Sequence, residues 1–110
     1  MNSEVWMVRQ GDVALVRDDS AEAGDEIPRD NGRVVLAYGE VTGHAHAFDA
    51  EHVTMYAQKA KSADRVLKVV GNVAYLKHEE HDRIATPPGT YRVVRQREWT
   101  DSDEPRVVAD

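Results

Sequence analysis

The chain has 110 residues, and its 14 lysine and arginine residues against 20 aspartate and glutamate residues give a formal net charge of −6. This length, with 41% apolar residues, is enough for one domain with one core and excludes a second domain. The absence of cysteine excludes disulfides, thiolate zinc sites and thiol catalysis, and the acidic balance disfavours binding to a nucleic-acid backbone.

Short runs rich in valine, tyrosine and threonine predict a chain made mostly of strands. The first run extends over residues 6–17 with a turn or bulge at Gly11-Asp12, and the second over residues 34–38. Between these two runs, residues 18–33 are rich in aspartate and glutamate and contain glycine and proline. They predict a mobile, solvated acidic loop.

Four further runs cover residues 53–57, 65–70, 73–77 and 91–99. Gly71-Asn72 separates two of them and predicts a hairpin-type turn. The acidic tail from about residue 100 is expected to be loose or to close the sheet as a last short strand. About six or seven short strands with turn signals between them predict a single all-β domain over residues 1–110, either a small antiparallel β-sandwich or a barrel.

The most informative feature is the distribution of histidine, because all five fall between positions 44 and 81 and four form two pairs. His44 and His46 are two residues apart, so a strand would place both side chains on one face. His78 and His81 are three apart, so they share a face only if the strand ends in a turn or contains a bulge. The two pairs predict a metal site formed by all four side chains, whereas His52 stands alone and is expected at the surface.

Neutral imidazoles without thiolates suit zinc, nickel, ferrous iron or manganese as the divalent metal. An open position on such an ion favours hydrolysis or oxygen chemistry, whereas four filled positions make the site structural. The candidate catalytic carboxylates are Glu79, Glu80 and Glu98, as a general base or as partners that orient the imidazoles, and Glu51 is a further candidate oxygen ligand.

Two other interpretations of the histidines stay open. They can be ordinary polar residues of the surface and loops that are close only in sequence. They can also act by titration, since imidazole changes its charge near pH 6.5 and a protonated cluster would repel itself.

The segment from Gly39 to Glu51 resembles the first cupin motif, in which a glycine precedes His-x-His and a glutamate follows four residues later. Pro87-Pro88-Gly89 resembles the Pro-x-Gly of the second cupin motif, but the histidine expected after it falls on Arg92. The resemblance is local, covering 13 residues for the first motif, and implies a cupin-like barrel.

Four separated motifs lie at residues 9–13, 39–46, 78–81 and 95–99. With these motifs in the same order, most of the chain resembles a group of small proteins found in phages, prophages and bacteria, in which tyrosine stands where this chain has Trp99. The resemblance implies where such a protein is found but no mechanism.

If the histidines form a metal site, the expected partner is a small molecule. The alternative hypothesis is a non-catalytic module that binds and modulates a host protein. Arg92, Arg95 and Arg97 form a basic strand, which we expect to pair with the acidic excess in preference to nucleic acid. No basic leader or membrane-spanning run is present, so we expect a cytoplasmic protein without a membrane anchor. An unpaired edge strand leaves homodimerisation open.

Overall fold

The computed structural model describes residues 6–39, 44–59 and 64–95, which form an all-β structure. Its ten strands are β1 Met7–Gln10, β2 Val13–Arg17, β3 Ala23–Ile27, β4 Val34–Tyr38, β5 Ala45–Phe48, β6 Val53–Gln58, β7 Arg65–Val69, β8 Ala74–His78, β9 His81–Thr86 and β10 Gly89–Arg95. Within these ranges no helix is long and apolar enough to cross a membrane.

The strands form two antiparallel sheets that pack face to face. One sheet has six strands in the order β1-β2-β10-β7-β6-β3, and the other has four in the order β4-β5-β8-β9. Large apolar side chains from both sheets fill the space between them, including Leu15, Leu67, Phe48 and Leu76. The predicted antiparallel all-β sandwich is confirmed.

Alternation along the strands explains which side chains enter the core. In β8, Ala74 and Leu76 are buried, whereas Tyr75 and Lys77 between and after them are exposed. In β5, Phe48 belongs to the core, so His46, two residues earlier, shares its inward face. This alternation brings a histidine to one end of the sandwich interior.

The segment predicted as one strand over residues 6–17 is a hairpin of β1 and β2. Gln10 pairs with Val13, and the chain reverses at Gly11-Asp12. Gly11 has a φ of 61°, a conformation that side chains with a Cβ rarely adopt, so the glycine permits this tight turn. The structure therefore contains the predicted turn, which divides the segment into the two strands β1 and β2.

The prediction of a loop throughout residues 18–33 is wrong for β3, which pairs with β6 at the edge of the six-stranded sheet. Gly24, Asp25 and Glu26 in this strand are exposed. Charged, exposed residues are typical of edge strands because they discourage pairing with other chains. The acidic composition therefore hid a short edge strand.

The prediction of a hairpin at Gly71-Asn72 is also wrong. The strand before it, β7, pairs with β6 and β10, whereas the strand after it, β8, belongs to the other sheet. Gly71 has the positive φ of 84° that a sharp reversal uses. The turn carries the chain from one sheet to the other, because a turn signal marks a reversal without selecting the strand that pairs next.

The sequence also missed β9, in which Ile84 and Thr86 are buried but the first three residues are exposed. The last predicted run begins within β10, and its end at Trp99 lies outside the described residues, as does the predicted tail from about residue 100.

Candidate metal centre

The four paired histidines lie together at one end of the four-stranded sheet. His46 belongs to β5, His78 ends β8 and His81 begins β9, while His44 directly precedes β5. Ala47 of β5 pairs with Lys77 of β8, and the neighbouring residues His46 and His78 have their rings in contact. His78 in turn pairs with His81 across the next hairpin. The two sequence pairs therefore meet because β5, β8 and β9 are neighbours.

His78 lies in the centre of this histidine cluster, which we define as His44, His46, His78 and His81. The centroid of its ring lies 4.3 Å from that of His46, 4.7 Å from that of His81 and 5.8 Å from that of His44. The rings of His46 and His81 are also 5.8 Å apart. The structure brings together all four histidines that the spacing singled out.

Within the described part of the chain, His44, His78 and Glu79 form a triad whose donor atoms all lie within 4.8 Å of one another. The carboxylate of Glu79 accepts a hydrogen bond of 3.0 Å from the backbone N–H of Ala45, and this bond lowers the pKa of the carboxyl group. Glu79 is therefore ionised at neutral pH, the state in which a carboxylate binds a cation.

Glu80 contacts both imidazoles of the triad. Its carboxylate lies 3.5 Å from Nδ1 of His44, and its backbone N–H donates a 3.0 Å hydrogen bond to Nδ1 of His78. An acidic partner at Nδ1 favours a hydrogen there and leaves Nε2 of His44 with its lone pair. These contacts are compatible with the orienting role, one of the two that the sequence left open, and the role of Glu80 stays a prediction.

Gln10 is a site residue that the sequence did not reveal. Its side chain is only 2% exposed, and its Nε2 donates to the carbonyl oxygens of Leu76 at 3.1 Å and Asp82 at 2.9 Å. With the amide nitrogen so placed, Oε1 faces Nδ1 of His46 at 2.8 Å and accepts its hydrogen. Gln10 therefore fixes the tautomer of His46 with the lone pair on Nε2.

That lone pair faces a second acceptor. Nε2 of His46 lies 3.6 Å from Oδ1 of Asp12, in the turn between β1 and β2. Burial of the His46 ring lowers its pKa to about 4, and the nearby His78 acts in the same direction although Asp12 opposes it. At neutral pH, His46 is consequently a neutral imidazole whose Nε2 lies next to the carboxylate of Asp12.

The backbone approaches the cluster at two glycines. A Cβ added to Gly11 would lie 3.1 Å from Cε1 of His46 and 3.2 Å from Nε2 of His81, and one added to Gly39 would lie 3.3 Å from Nε2 of His78. These distances are shorter than ordinary van der Waals contact. The two glycines therefore make room for the rings.

We expect Gly11→Ala to lower the free energy of unfolding by about 2 kcal/mol, of which roughly 1 kcal/mol is strain at positive φ. Gly32→Ala is the matched control, because Gly32 has a φ of 80° and no atom within 4 Å of an added Cβ. Urea unfolding of both variants separates the strain at positive φ, which both share, from the crowding of the imidazole rings, which only Gly11→Ala causes. Equal losses in the two variants would contradict close packing of Gly11 on the imidazoles.

A cavity of about 250 Å³ adjoins the triad on the outer face of the four-stranded sheet. Two small buried residues of β5 line it, and charged side chains from neighbouring segments surround them. The lining residues are Arg33, Ala45, Ala47, Asp49, Lys77, His78 and Glu79. A small molecule in this cavity would therefore touch two members of the triad.

Other candidate residues lie apart from the cluster or beyond the described chain. Glu51 is exposed in the turn after β5, past the end of the strand opposite to His44. His52 is half-buried, and its Nε2 lies 3.1 Å from the carbonyl oxygen of Val73. Glu98 lies outside the described residues.

The basic strand pairs with acidic side chains, as expected from the charge balance. Arg92 lies 3.2 Å from Asp18 and 3.5 Å from Asp64, so the residue at the position of the missing cupin histidine faces carboxylates. Arg95 lies 3.5 Å from Oδ2 of Asp12, while Arg97 lies outside the described residues.

The fold and the site together define an all-β sandwich domain with a histidine-rich cluster at one end. The chain belongs to the family described as "Domain of unknown function (DUF8820)", whose profile matches residues 9–96. The matched segment contains the whole histidine cluster, Gln10 and Asp12. Comparisons with curated proteins and with solved structures found no significant match. The likeness to phage and prophage proteins stays a prediction.

Proposed function

We propose that this domain binds a divalent transition-metal ion at His44, His78 and Glu79. The observation that carries the proposal is the convergence of three donor atoms within 4.8 Å, on the ends of two neighbouring strands. Around a tetrahedral ion, donors about 2.1 Å from the metal lie about 3.4 Å apart. Small side-chain rotations would bring the three donors to that spacing.

The donor set favours zinc, nickel, ferrous iron or manganese over calcium, because two imidazole nitrogens accompany a single carboxylate. His78 would have to adjust when it binds through Nε2. Its Nδ1 accepts the N–H of Glu80 in this structure, so a neutral ring carries its hydrogen on Nε2. Metal binding through Nε2 would move that hydrogen to Nδ1 and break the bond to Glu80, which makes the Glu80 amide a sensitive NMR reporter.

The proposed chemistry is hydrolysis at a position that the three donors leave open. A bound divalent ion would supply Lewis acidity there, lowering the pKa of water or polarising a substrate oxygen. The adjoining cavity supports this class of reaction because His78 and Glu79 line it. Arg33 also lines the cavity, whereas the charge of Lys77 is balanced by Asp49, which lies 3.1 Å from it.

The direct test is elemental analysis of protein purified without a His-tag or nickel column, followed by titration with zinc, nickel, ferrous iron and manganese. We expect at least one tightly bound ion per chain and a thermal midpoint that falls when EDTA removes it. Protein that contains none of these metals and takes up none of them when they are added would overturn the proposal.

The variant Glu79→Gln should weaken metal binding by roughly tenfold or more, because it replaces an ionised donor with a neutral amide. Glu79 is exposed in a turn, so this variant should fold. Glu51→Gln is the matched control, since it makes the same change in an exposed turn away from the triad. Isothermal titration that finds the same affinity in both variants would exclude Glu79 as a donor.

A further inference from the structure

The cavity on the outer face of the four-stranded sheet has a floor of small side chains. Ala45 and Ala47 of β5 line it, and the register places Val35 of β4 and Lys77 of β8 on either side of Ala47. Both alanines are almost completely buried although they lie on the face away from the core. Longer side chains around them therefore enclose the space, and its volume of about 250 Å³ suits a small molecule.

The charges around this floor do not all cancel. Nζ of Lys77 lies 3.1 Å from Oδ2 of Asp49, so these two charges compensate each other. Arg33 and Glu79 also line the cavity, and no ion pair joins them among the described residues. The cavity therefore contains one guanidinium whose charge is not compensated, together with the carboxylate of the triad.

These two charged groups lie toward opposite ends of β5. The carboxylate of Glu79 accepts the N–H of Ala45, the first residue of the strand. Arg33 directly precedes Val34, and Val34 pairs with Phe48, the last residue of the strand. A small molecule in the cavity can therefore contact the guanidinium at one end and the triad at the other.

A tight turn fixes the backbone of Arg33. Asn31 and Gly32 have positive φ values of 52° and 80°, the geometry of a two-residue hairpin loop. Across them, the backbones of Asp30 and Arg33 exchange hydrogen bonds of 2.9 and 3.1 Å. The carboxylate of Asp30 accepts a hydrogen bond from the hydroxyl of Tyr38, and within the described ranges the half-buried Arg33 side chain forms no ion pair. Arg33 is therefore a positioned cation that is available to a ligand.

We propose that Arg33 binds the anionic group, a carboxylate or a phosphate, of a small molecule that occupies this cavity and contacts the metal ion at the triad. A guanidinium offers two parallel N–H groups, which match two oxygens of either anion. A bound divalent ion compensates the charge of Glu79, which otherwise repels the anion. This inference rests on the proposed function, because it names the substrate class of the same site.

The test is isothermal titration of the full-length protein with methyl phosphate and with acetate, in a buffer free of other oxyanions. The protein is first loaded with the divalent metal that it binds most tightly, and unbound metal is removed. We expect at least one of the two anions to bind, and the anion that binds more tightly identifies the substrate as a phosphate ester or a carboxylic acid. The metal-free protein should bind the same anion at least tenfold more weakly.

The variant Arg33→Gln should weaken binding of that anion at least tenfold, because it removes a charge-assisted pair of hydrogen bonds. Arg33→Lys keeps the charge but not the planar fork, so its affinity should lie between the two. Arg65→Gln is the matched control, since Arg65 is exposed at the start of β7 in the other sheet and does not line this cavity. Ala47→Val should fill part of the floor and weaken the anion without changing the metal content.

The outcomes distinguish this inference from the proposed function. If the metal-loaded Arg33→Gln and Arg65→Gln variants bind the anion equally, Arg33 is not the binding residue, although the metal site is retained. Metal-loaded protein that binds neither anion leads to the same conclusion. Equal affinity for the anion with and without the metal would overturn the contact between the anion and the ion. A chain that takes up no metal would overturn the proposed function and this inference with it.

Discussion

Replacing Gln10 with methionine is expected to lower the free energy of unfolding by about 3–4 kcal/mol. The side chain is buried and makes three hydrogen bonds, two to backbone carbonyls of β8 and β9 and one to His46. Methionine has a similar volume, so the variant removes the polar contacts without opening a large cavity. Each buried partner that loses its hydrogen bond contributes roughly 1 kcal/mol or more to the loss.

Gln58→Met is the matched control for this experiment. Gln58 ends β6, and its Oε1 is buried without a hydrogen-bond partner within the described residues. Removing an unsatisfied buried oxygen should leave stability unchanged or raise it. Urea unfolding that finds equal losses in the two variants would show that the Gln10 amide does not connect the sheets.

The same variant has a consequence for His46 that a general loss of stability would not produce. Without the acceptor at Nδ1, the hydrogen of the neutral ring is no longer confined to that nitrogen. We expect the nitrogen chemical shifts of His46 to change toward a mixture of tautomers. Unaltered His46 shifts in folded Gln10→Met protein would contradict the positioning role.

The histidine cluster was predictable because its members are close in sequence or lie at the ends of strands. The two-residue spacing of His44 and His46 predicted that both side chains lie on one face. The three-residue spacing of His78 and His81 brings their side chains together because a hairpin turn between β8 and β9 pairs the two residues. That both pairs meet depends on the pairing of β5 with β8, which sequence spacing alone does not specify.

Gln10 and Asp12 could not be predicted in the same way. They reach the cluster because the β1–β2 hairpin of one sheet packs against β8 and β9 of the other. A single glutamine or aspartate at a turn has no spacing signature for this long-range contact. The glycine between them was visible as a turn signal, but its closeness to two imidazole rings follows only from the packing of the sheets.

Two errors in the predicted fold have related causes. The strand β3 was missed because an edge strand with exposed charges resembles a loop in composition. The hairpin at Gly71-Asn72 was assigned from a local turn signal, whereas the partner of β8 is decided by which apolar face it can cover. In both cases, local composition was informative about chain direction and exposure but not about pairing.

The metal-free protein is expected to lose about 3 kcal/mol of stability as the pH falls from 6.5 to 4, because of His46 alone. The pKa of His46 is about 4 in the folded protein, against 6.5 for the unperturbed group. Between these values the unfolded chain binds a proton that the folded chain excludes, so acid favours unfolding. The stabilising contribution is complete above pH 6.5 and is lost progressively through this interval.

Urea unfolding in the presence of EDTA at a series of pH values measures this dependence. His46→Gln removes the titrating group, so its free energy of unfolding should change less between pH 6.5 and 4.5 than that of the unaltered chain. His52→Gln should keep the full slope, because His52 is outside the cluster. The carboxyl of Glu79, whose pKa is lowered from 4.5, affects stability mainly below this interval. Parallel curves for the His46 variant and the unaltered chain would show that the buried imidazole is not the group that acid protonates, and the ring would then have to be charged or exposed already at neutral pH.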